Sequence, residues 1–77
     1  MKTKTQKSRS KYWVGDPPTR CDICHEPIRM TFTDGATMRY WANMCPCCHG
    51  LYGLGLGTGR GQQYTKQRNG RWLKTAG

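Results

Sequence analysis

Two pairs of cysteines with the same internal spacing constrain this chain more than any other feature of its sequence. Cys21 and Cys24 form one C-x2-C pair, and Cys45 and Cys48 form a second pair after an interval of twenty residues. A C-x2-C loop turns both sulfurs toward one point, so two such loops can surround one ion with four thiolates. The pattern therefore predicts one structural Zn²⁺, bound in a closed site by these four cysteines.

Three residues beside the pairs leave alternatives open. Cys47 could replace Cys45 or Cys48, although the C-x2-C geometry favours the assignment above and leaves Cys47 as a spare thiol. His25 and His49 directly follow the two pairs, and either could be a fallback ligand, but with four cysteines present we expect them beside the site or at the surface. Both pairs also match the C-x2-C-H motif of haem attachment, but that chemistry normally requires export, and no export signal is present.

The chain needs a metal staple because its sequence supplies little hydrophobic core. Only eight of its 77 residues are Leu, Ile, Val or Phe, and highly charged chains below roughly 20% in these residues tend toward disorder. A core of this size contributes only ~3–5 kcal/mol. Structural zinc contributes ~10–16 kcal/mol in small fingers, so we expect metal binding and folding to be coupled.

The N-terminus and the hydropathy pattern predict a cytoplasmic protein. No apolar run approaches the ~20 residues of a membrane-spanning helix, and the basic N-terminus lacks the apolar stretch of a signal peptide. Grouped cysteines in a reducing cytoplasm usually bind metal. The odd number of cysteines, five, also fits poorly with a fully paired disulfide framework.

The residues between the two cysteine pairs predict a β-hairpin. Apolar and polar residues alternate across residues 28–41, and a three-residue loop at Thr33–Gly35 would pair Phe32 with Ala36 and gather the apolar side chains on one face. Each C-x2-C loop is called a knuckle. A knuckle at Cys21–Cys24, a hairpin, and a second knuckle at Cys45–Cys48 that opens a short helix make a small metal-stapled α+β domain of the treble-clef type. A zinc ribbon, with both knuckles on hairpins, is the alternative.

The chain divides into a basic arm and one zinc-stapled domain. We expect residues 1–12 to be a disordered arm and residues 13–77 to form the domain, which comprises a zinc core (20–52), a Gly-rich segment (50–61) and a C-terminal β-hairpin (62–76). Leucines 51, 54 and 56 are expected to cover the apolar face of the first hairpin, and residues 57–61 could present backbone N–H groups to a phosphate.

The C-terminal hairpin has a strong turn signal. Asn69-Gly70 predicts a two-residue turn, which would pair Lys66 with Leu73. In that register Tyr64 and Trp72 fall on opposite faces of the hairpin.

The distribution of charge favours a polyanionic partner. The formal charge is +9, and all four acidic residues lie between positions 16 and 34. Cationic ends suit a nucleic acid because each neutralised phosphate releases counterions, and neighbouring aromatic rings suit stacking on unpaired bases. The candidate nucleic-acid-binding residues are Lys2, Lys4, Lys7, Arg9, Lys11, Arg60, Lys66, Arg68, Arg71, Lys74, Tyr64 and Trp72.

One short segment resembles part of a nuclease family. In residues 43–49, an Asn precedes a C-x2-C-H motif, and this arrangement is similar to the end of the zinc core of HNH nucleases. That family also uses a histidine on the hairpin to activate water, whereas no histidine occurs from Glu26 to Met44. The resemblance therefore implies a shared zinc core, with a degenerate nuclease domain as a remote alternative.

A second resemblance covers most of the chain. This resemblance rests on the paired C-x2-C motifs, Trp41-Ala-Asn-Met, Gly55-Leu-Gly-Thr-Gly-Arg-Gly-Gln62, Tyr64 and Gly70-Arg-Trp72. Through these features residues 20–77 resemble a group of small zinc-binding proteins encoded by tailed bacteriophages. The resemblance implies a phage origin and a bacterial host cytoplasm, and it implies no particular activity.

Two functional hypotheses follow from the sequence. We expect a non-enzymatic zinc-binding module that binds RNA or single-stranded nucleic acid through its basic ends. The alternative is a protein-interaction module that docks on a host machine or a virion component, since an acidic protein attracts a strongly cationic chain as RNA does.

Overall fold

The chain forms one four-stranded sheet and one short helix. A computed structural model describes residues 11–77, so the candidate binding residues Lys2, Lys4, Lys7 and Arg9 lie outside the described part. The elements are β1 (Thr31–Ala36), β2 (Trp41–Met44), α1 (Pro46–Tyr52), β3 (Gly61–Lys66) and β4 (Trp72–Ala76).

The four strands are antiparallel and lie in the order β2-β1-β3-β4. The prediction of a small α+β fold is confirmed, but the two predicted hairpins are joined into a single sheet through β1 and β3. In residues 11–77, no helix has the length and apolar character needed to cross a bilayer.

One face of the sheet carries a cluster of aromatic rings. Phe32 of β1 is fully buried, and its ring lies 5.1–5.4 Å, between centroids, from the rings of Trp13, Tyr64 and Trp72. Tyr64 stacks on Phe32, whereas the two tryptophans meet Phe32 edge-on. Such pairs contribute beyond their buried area, so these four rings form the core on this face.

The opposite face carries the cysteines. Side chains of a strand alternate between faces, so Thr33 points away from Phe32 and pairs with Met44 of β2. On that side Ala42 and Met44 are buried together with Cys21 and Cys48. The short strand β1 therefore serves two small cores, one aromatic and one rich in sulfur.

The predicted turn at Thr33–Gly35 is wrong. Asp34 and Gly35 lie within β1 and pair with β2, and the turn falls instead at residues 37–40. The Thr37 Oγ1 accepts hydrogen bonds from the backbone N–H groups of Arg39 and Tyr40 at 3.1 and 3.0 Å. These side-chain-to-backbone hydrogen bonds stabilise a turn at residues 37–40. The chain therefore turns there and not at Asp34-Gly35, although Asp-Gly is a common turn sequence.

Gly35 is needed in the strand because β1 and β3 approach closely there. Gly35 pairs with Gly61 across the two strands, and a Cβ on Gly35 would lie only 2.9 Å from the Arg60 carbonyl oxygen. Glycine within a strand often marks such a close backbone approach. The local sequence does not distinguish this use of glycine from its use in a turn.

The β3–β4 hairpin has a longer loop than predicted. The Gly70 N–H donates to the Gln67 carbonyl at 2.9 Å, and Gly70 has a φ of 85°. This is the left-handed position of a three-residue hairpin loop. The register therefore shifts by one residue, so Lys66 pairs with Trp72 instead of Leu73.

The shifted register changes which side chains share a face. A one-residue slip moves a strand's side chains to the other face, so Tyr64 and Trp72 lie on the same face and both contact Phe32. The prediction that they lie on opposite faces is wrong. Burial of aromatic area against Phe32 favours the observed register over the tighter two-residue turn.

A short N-terminal segment extends the sheet beyond β4. Tyr12 forms a β-bridge with Leu73, and the Lys74 N–H donates to the Lys11 carbonyl at 2.6 Å. The ring of Trp13 joins the aromatic core. Lys11 and Tyr12 were expected in a disordered arm, and they pair with β4 because the adjacent Trp13 is packed in the core.

The Gly-rich segment does not cover the first hairpin as expected. Leu51 and Leu54 are 69% and 43% exposed, and Leu56 is half-buried. Met44 and Ala42 already fill the space beneath the sheet with the cysteine side chains. The leucines near the end of α1 are therefore left at the surface.

Substituting Gly35 tests the close approach of β1 and β3. We expect Gly35→Ala to lower the free energy of unfolding by about 1–3 kcal/mol, the usual cost of forcing an extra methyl group into a filled space. The measurement is thermal or urea denaturation of the metal-loaded protein, followed by circular dichroism.

Gly50→Ala is the matched control, since nothing lies within 4 Å of the added Cβ. Gly50 is an exposed residue of α1, where alanine is favoured over glycine by up to about 1 kcal/mol. Equal loss of stability in the two variants would contradict the packing described for Gly35.

Candidate functional site

Four of the five cysteines converge on one side of the sheet. Their Sγ atoms lie within 4.8 Å of one another, and the Cys24 and Cys45 sulfurs are 3.7 Å apart. An ion with four metal–sulfur bonds of about 2.3 Å in tetrahedral geometry would separate its ligands by about 3.8 Å. All five cysteines are free thiols. The cluster could therefore hold one metal ion, and its members are those expected from spacing: Cys21, Cys24, Cys45 and Cys48.

A tight backbone turn orients the first pair. The Cys21 N–H donates to the Glu26 carbonyl, and the His25 N–H donates to the Cys21 carbonyl, both at 2.9 Å. His25 has a φ of 66°, which is the left-handed conformation needed to reverse the chain. The Ile23 N–H lies 3.4 Å from the Cys21 sulfur. The turn thus aims the sulfurs and also supplies a donor to one of them.

The start of α1 orients the second pair. Cys45 is the N-cap residue, and its sulfur accepts a hydrogen bond from the Cys48 N–H at 3.4 Å. Pro46 occupies the first helical position, where its missing N–H costs nothing. Residues three apart on a helix lie on the same side. The helix start therefore presents both sulfurs in one direction.

Asp22 fastens the first pair to the sheet. Its N–H donates to the Asn43 carbonyl, and its carboxylate accepts from the Asn43 N–H, both at 2.8 Å. This pairing brings the knuckle onto the outer edge of β2, directly before the second cysteine pair. The sequence reasoning missed the role of Asp22, and its only signal was an acidic residue inside a C-x2-C pair.

The surroundings of the sulfurs lower the pKa of Cys21 and raise the pKa of Cys48. Burial raises the pKa of Cys21, but hydrogen bonds from the backbone of Cys24, Cys45 and Ile23 and from the Cys48 thiol outweigh it and lower the pKa to about 6. Burial also raises the pKa of Cys48, and the neighbouring sulfurs and the charge on Cys21 raise it further. Four adjacent thiolates repel one another unless a cation lies among them. The donor set therefore fits a thiophilic cation.

The remaining residues near the pairs lie outside the cluster. Cys47 is exposed, and His25 is exposed as well. The Nε2 atom of His49 is 3.3 Å from the Gly55 carbonyl oxygen, and its ring packs so closely on Gly53 that a Cβ there would collide with it. Neither histidine joins the sulfurs.

Cationic residues from both ends of the chain meet around β4. Lys11 lies beside Lys74 through their backbone hydrogen bond, and the Arg71 guanidinium lies 4.0 Å from the centroid of the Tyr12 ring. The sequence reasoning missed this meeting, although the pair Tyr12-Trp13 at the end of a polar arm was a signal for it. The basic edge is defined here as Lys11, Lys66, Arg68, Arg71 and Lys74.

Arg60 lies apart from the basic edge. It precedes β3, whereas Lys66 ends that strand, and six residues of strand span about 20 Å. The Arg60 and Gly61 N–H groups donate to the Gly57 carbonyl at 2.9 and 3.0 Å. These two donors are used within the turn, so they are not directed at a phosphate, which the sequence left open for residues 57–61.

Trp72 and Tyr64, the two aromatic residues expected to stack on bases, are packed in the core. Trp72 is only 7% exposed. Tyr64 is packed between Phe32 and Trp13, and burial together with the negative charge of Asp34 raises its pKa. Both rings are packed in the aromatic core because few aliphatic residues are available to form it, and their stacking on bases stays a prediction.

Comparison with known proteins leaves the site to be interpreted from its own geometry. No protein-family model matches the chain, and no curated protein or solved structure is significantly similar to it. The resemblances to phage-encoded zinc proteins and to the HNH zinc core stay predictions. The fold and the site together define a small α+β domain with a four-cysteine cluster able to hold a metal ion.

Substituting neighbouring cysteines tests the ligand assignment. We expect native mass spectrometry to find one metal ion in the unmodified protein and in Cys47→Ser, because the Cys47 thiol lies outside the cluster. Cys48→Ser should lose the ion or bind it much more weakly, since it removes one of the four sulfur donors of the cluster. If Cys47 proved essential and Cys45 dispensable, the assignment would be wrong.

Proposed function

We propose that this chain is a zinc-stapled binding module of the treble-clef type, which binds RNA or single-stranded nucleic acid through its basic edge. The single observation that carries the nucleic-acid part is the meeting of the two cationic ends around β4. The proposal is for a protein that binds without catalysis, since residues 26–44 contain no histidine that could activate water.

The donor set supports zinc as the metal. Four thiolates in a closed arrangement are typical of structural zinc, and soft sulfur ligands select against magnesium and calcium. The order of elements supports the treble-clef assignment, because a knuckle precedes a hairpin and the second cysteine pair opens α1. When bound, the ion would cross-link the knuckle, the end of β2 and the helix.

The charges of the basic edge support a polyanionic ligand. Five cationic residues lie on the β3–β4 hairpin or directly beside it, and the sequence contains no acidic residue after Asp34. Arg71 rests on the Tyr12 ring, so part of its side chain is ordered before any ligand arrives. Phosphates neutralised at such an edge release counterions, which is the main driving force for non-specific binding.

The geometry favours phosphate contact over base readout. Trp72 and Tyr64 are packed in the core, and α1 has only seven residues and is capped by a cluster cysteine. A helix this short lacks the reach of a major-groove recognition helix. A flexible single strand can follow a short basic edge, so RNA or single-stranded DNA of mixed sequence is the proposed ligand.

The proposed setting is a phage-infected bacterial cell. Its support is the resemblance of residues 20–77 to small zinc proteins of tailed phages, together with the reduced cysteines.

Removing the metal tests the zinc staple. We expect the metal-loaded protein to give a dispersed amide NMR spectrum and a strong chelator to collapse that dispersion, because the core alone is too small to hold the fold. Adding one equivalent of Zn²⁺ should restore it, and Mg²⁺ should not. A dispersed spectrum from metal-free protein would refute the proposed coupling.

A salt titration tests the nucleic-acid proposal. Five phosphate contacts predict a slope of about −3.5 in a plot of log affinity against log salt for a single strand, at about 0.7 per contact. The measurement is fluorescence anisotropy of a labelled mixed-sequence oligonucleotide at several salt concentrations.

Variants of the basic edge give that titration its controls. Lys66→Gln and Arg68→Gln should each reduce the slope by about 0.7, and Arg39→Gln, an exposed cation in the turn at residues 37–40, should leave it unchanged. Undetectable binding at low salt would discard the proposal.

A further inference from the structure

An apolar groove lies at a distance from the basic edge. It runs between the end of α1, the turn at residues 37–40 and the first knuckle, and its volume is about 440 Å³. Its main walls are Ile23, Met38, Tyr40, Leu51, Tyr52 and Leu54. The groove belongs to neither the cysteine cluster nor the basic edge.

The groove holds apolar side chains that the core does not use. Met38 is 86% exposed, Leu51 69%, Tyr40 54%, Tyr52 51% and Leu54 43%. Of the eight Leu, Ile, Val and Phe residues in the chain, only Phe32 is fully buried. A chain with so little apolar material nevertheless gathers several large apolar side chains on one surface. Contiguous exposed patches of this kind mark interaction sites.

The groove is formed before any partner arrives. The turn is closed by the Thr37 N–H, which donates to the Tyr40 carbonyl at 3.0 Å. The Leu54 N–H donates to the Ala36 carbonyl at 3.1 Å, which fastens one wall to the other. Ile23 lies inside the first cysteine pair and α1 begins at the second pair. A preformed site reduces the ordering cost of binding.

The charge and composition of the groove select its partner. Arg39 is its one charged lining residue, and Lys, Asp and Glu are absent from the lining. Tyrosine, methionine and arginine are enriched in the buried centres of protein interfaces, whereas lysine and acidic residues are depleted. We propose that this groove docks an acidic segment of another protein, with large apolar side chains in the groove and a carboxylate on Arg39.

Other occupants fit the groove less well. A nucleic acid would meet mostly apolar walls and a single cation, while the basic edge offers five. A second copy of this chain would bring another +9 charge, and like charges oppose association. The chain's own residues 1–10 are cationic and carry no large apolar side chain after Met1.

The test is selection from a library of randomised dodecapeptides against the full-length, metal-loaded protein. We expect the enriched peptides to combine acidic and large apolar residues. Leu51→Ala should weaken their binding about tenfold, as truncation of an interface anchor does. Alanine is a good helix former, so this substitution preserves α1. Val14→Ala, an 82% exposed apolar residue outside the groove, should leave binding unchanged.

A charge reversal separates electrostatics from packing. Arg39→Glu should weaken the acidic peptides about tenfold or more, whereas Arg29→Glu, which makes the same change of net charge outside the groove, should have little effect. Both variants must give the dispersed NMR spectrum of the folded protein, and each is compared with the unmodified chain.

Three results would overturn the inference. They are the absence of any enriched peptide, enrichment of basic or purely polar peptides, and binding that Leu51→Ala leaves intact. A labelled RNA whose affinity falls with Leu51→Ala but not with Lys66→Gln would assign the groove to nucleic acid instead. Peptide binding in the groove does not depend on the basic edge. A failure of the groove inference can therefore be distinguished from a failure of the proposed nucleic-acid binding.

Discussion

Four sulfur atoms that must share a small space organise this protein. Burial raises the pKa of both Cys21 and Cys48, but hydrogen bonds outweigh burial and lower the pKa of Cys21, whereas repulsion from the charge on Cys21 raises that of Cys48 further. A bound cation would turn this repulsion into four favourable bonds. Because the sulfurs come from the knuckle and from the start of α1, the same bonds would join segments that little else holds together. The small apolar cluster around Met44 is built on two of these cysteines.

Strand β1 contributes side chains to both faces of the sheet. β1 contributes Phe32 to the aromatic core and Thr33 to the cysteine side, and it lies between β2 and β3. Gly35 permits the close contact with β3 at Gly61. An added Cβ at this point would disturb both hairpins at once, since β1 and β3 join one hairpin to the other.

The two proposed surfaces differ in chemistry and in origin. The basic edge depends on β4 and on the N-terminal segment that pairs with it, whereas the apolar groove depends on α1, the knuckle and the turn before β2. The groove is therefore connected to the cysteine cluster through α1 and the knuckle, whereas the basic edge is not. A module with both surfaces can bring an anionic strand and an acidic protein together, because each partner meets a surface suited to it.

The sequence alone determined the features that depend on local spacing. Two C-x2-C pairs identify four converging thiols, because a short loop fixes where two neighbouring side chains point. The scarcity of aliphatic residues predicts a domain stapled by metal, and the order of cysteine pair, hairpin and second cysteine pair predicts the α+β class. These predictions need no knowledge of which strands become neighbours.

The tertiary structure decided everything that depends on contacts between distant residues. Asp34-Gly35 is a turn signal in isolation, but Gly61 must approach Gly35 closely, so the dipeptide lies in a strand. Asn69-Gly70 permits more than one loop length, and packing of Tyr64 and Trp72 on Phe32 selects the register that buries both. Trp13 packs on the same aromatic cluster, and this contact brings Lys11 to Lys74. Local propensities differ by about 1 kcal/mol, and burying an aromatic ring contributes more than that, so long-range packing determined these elements.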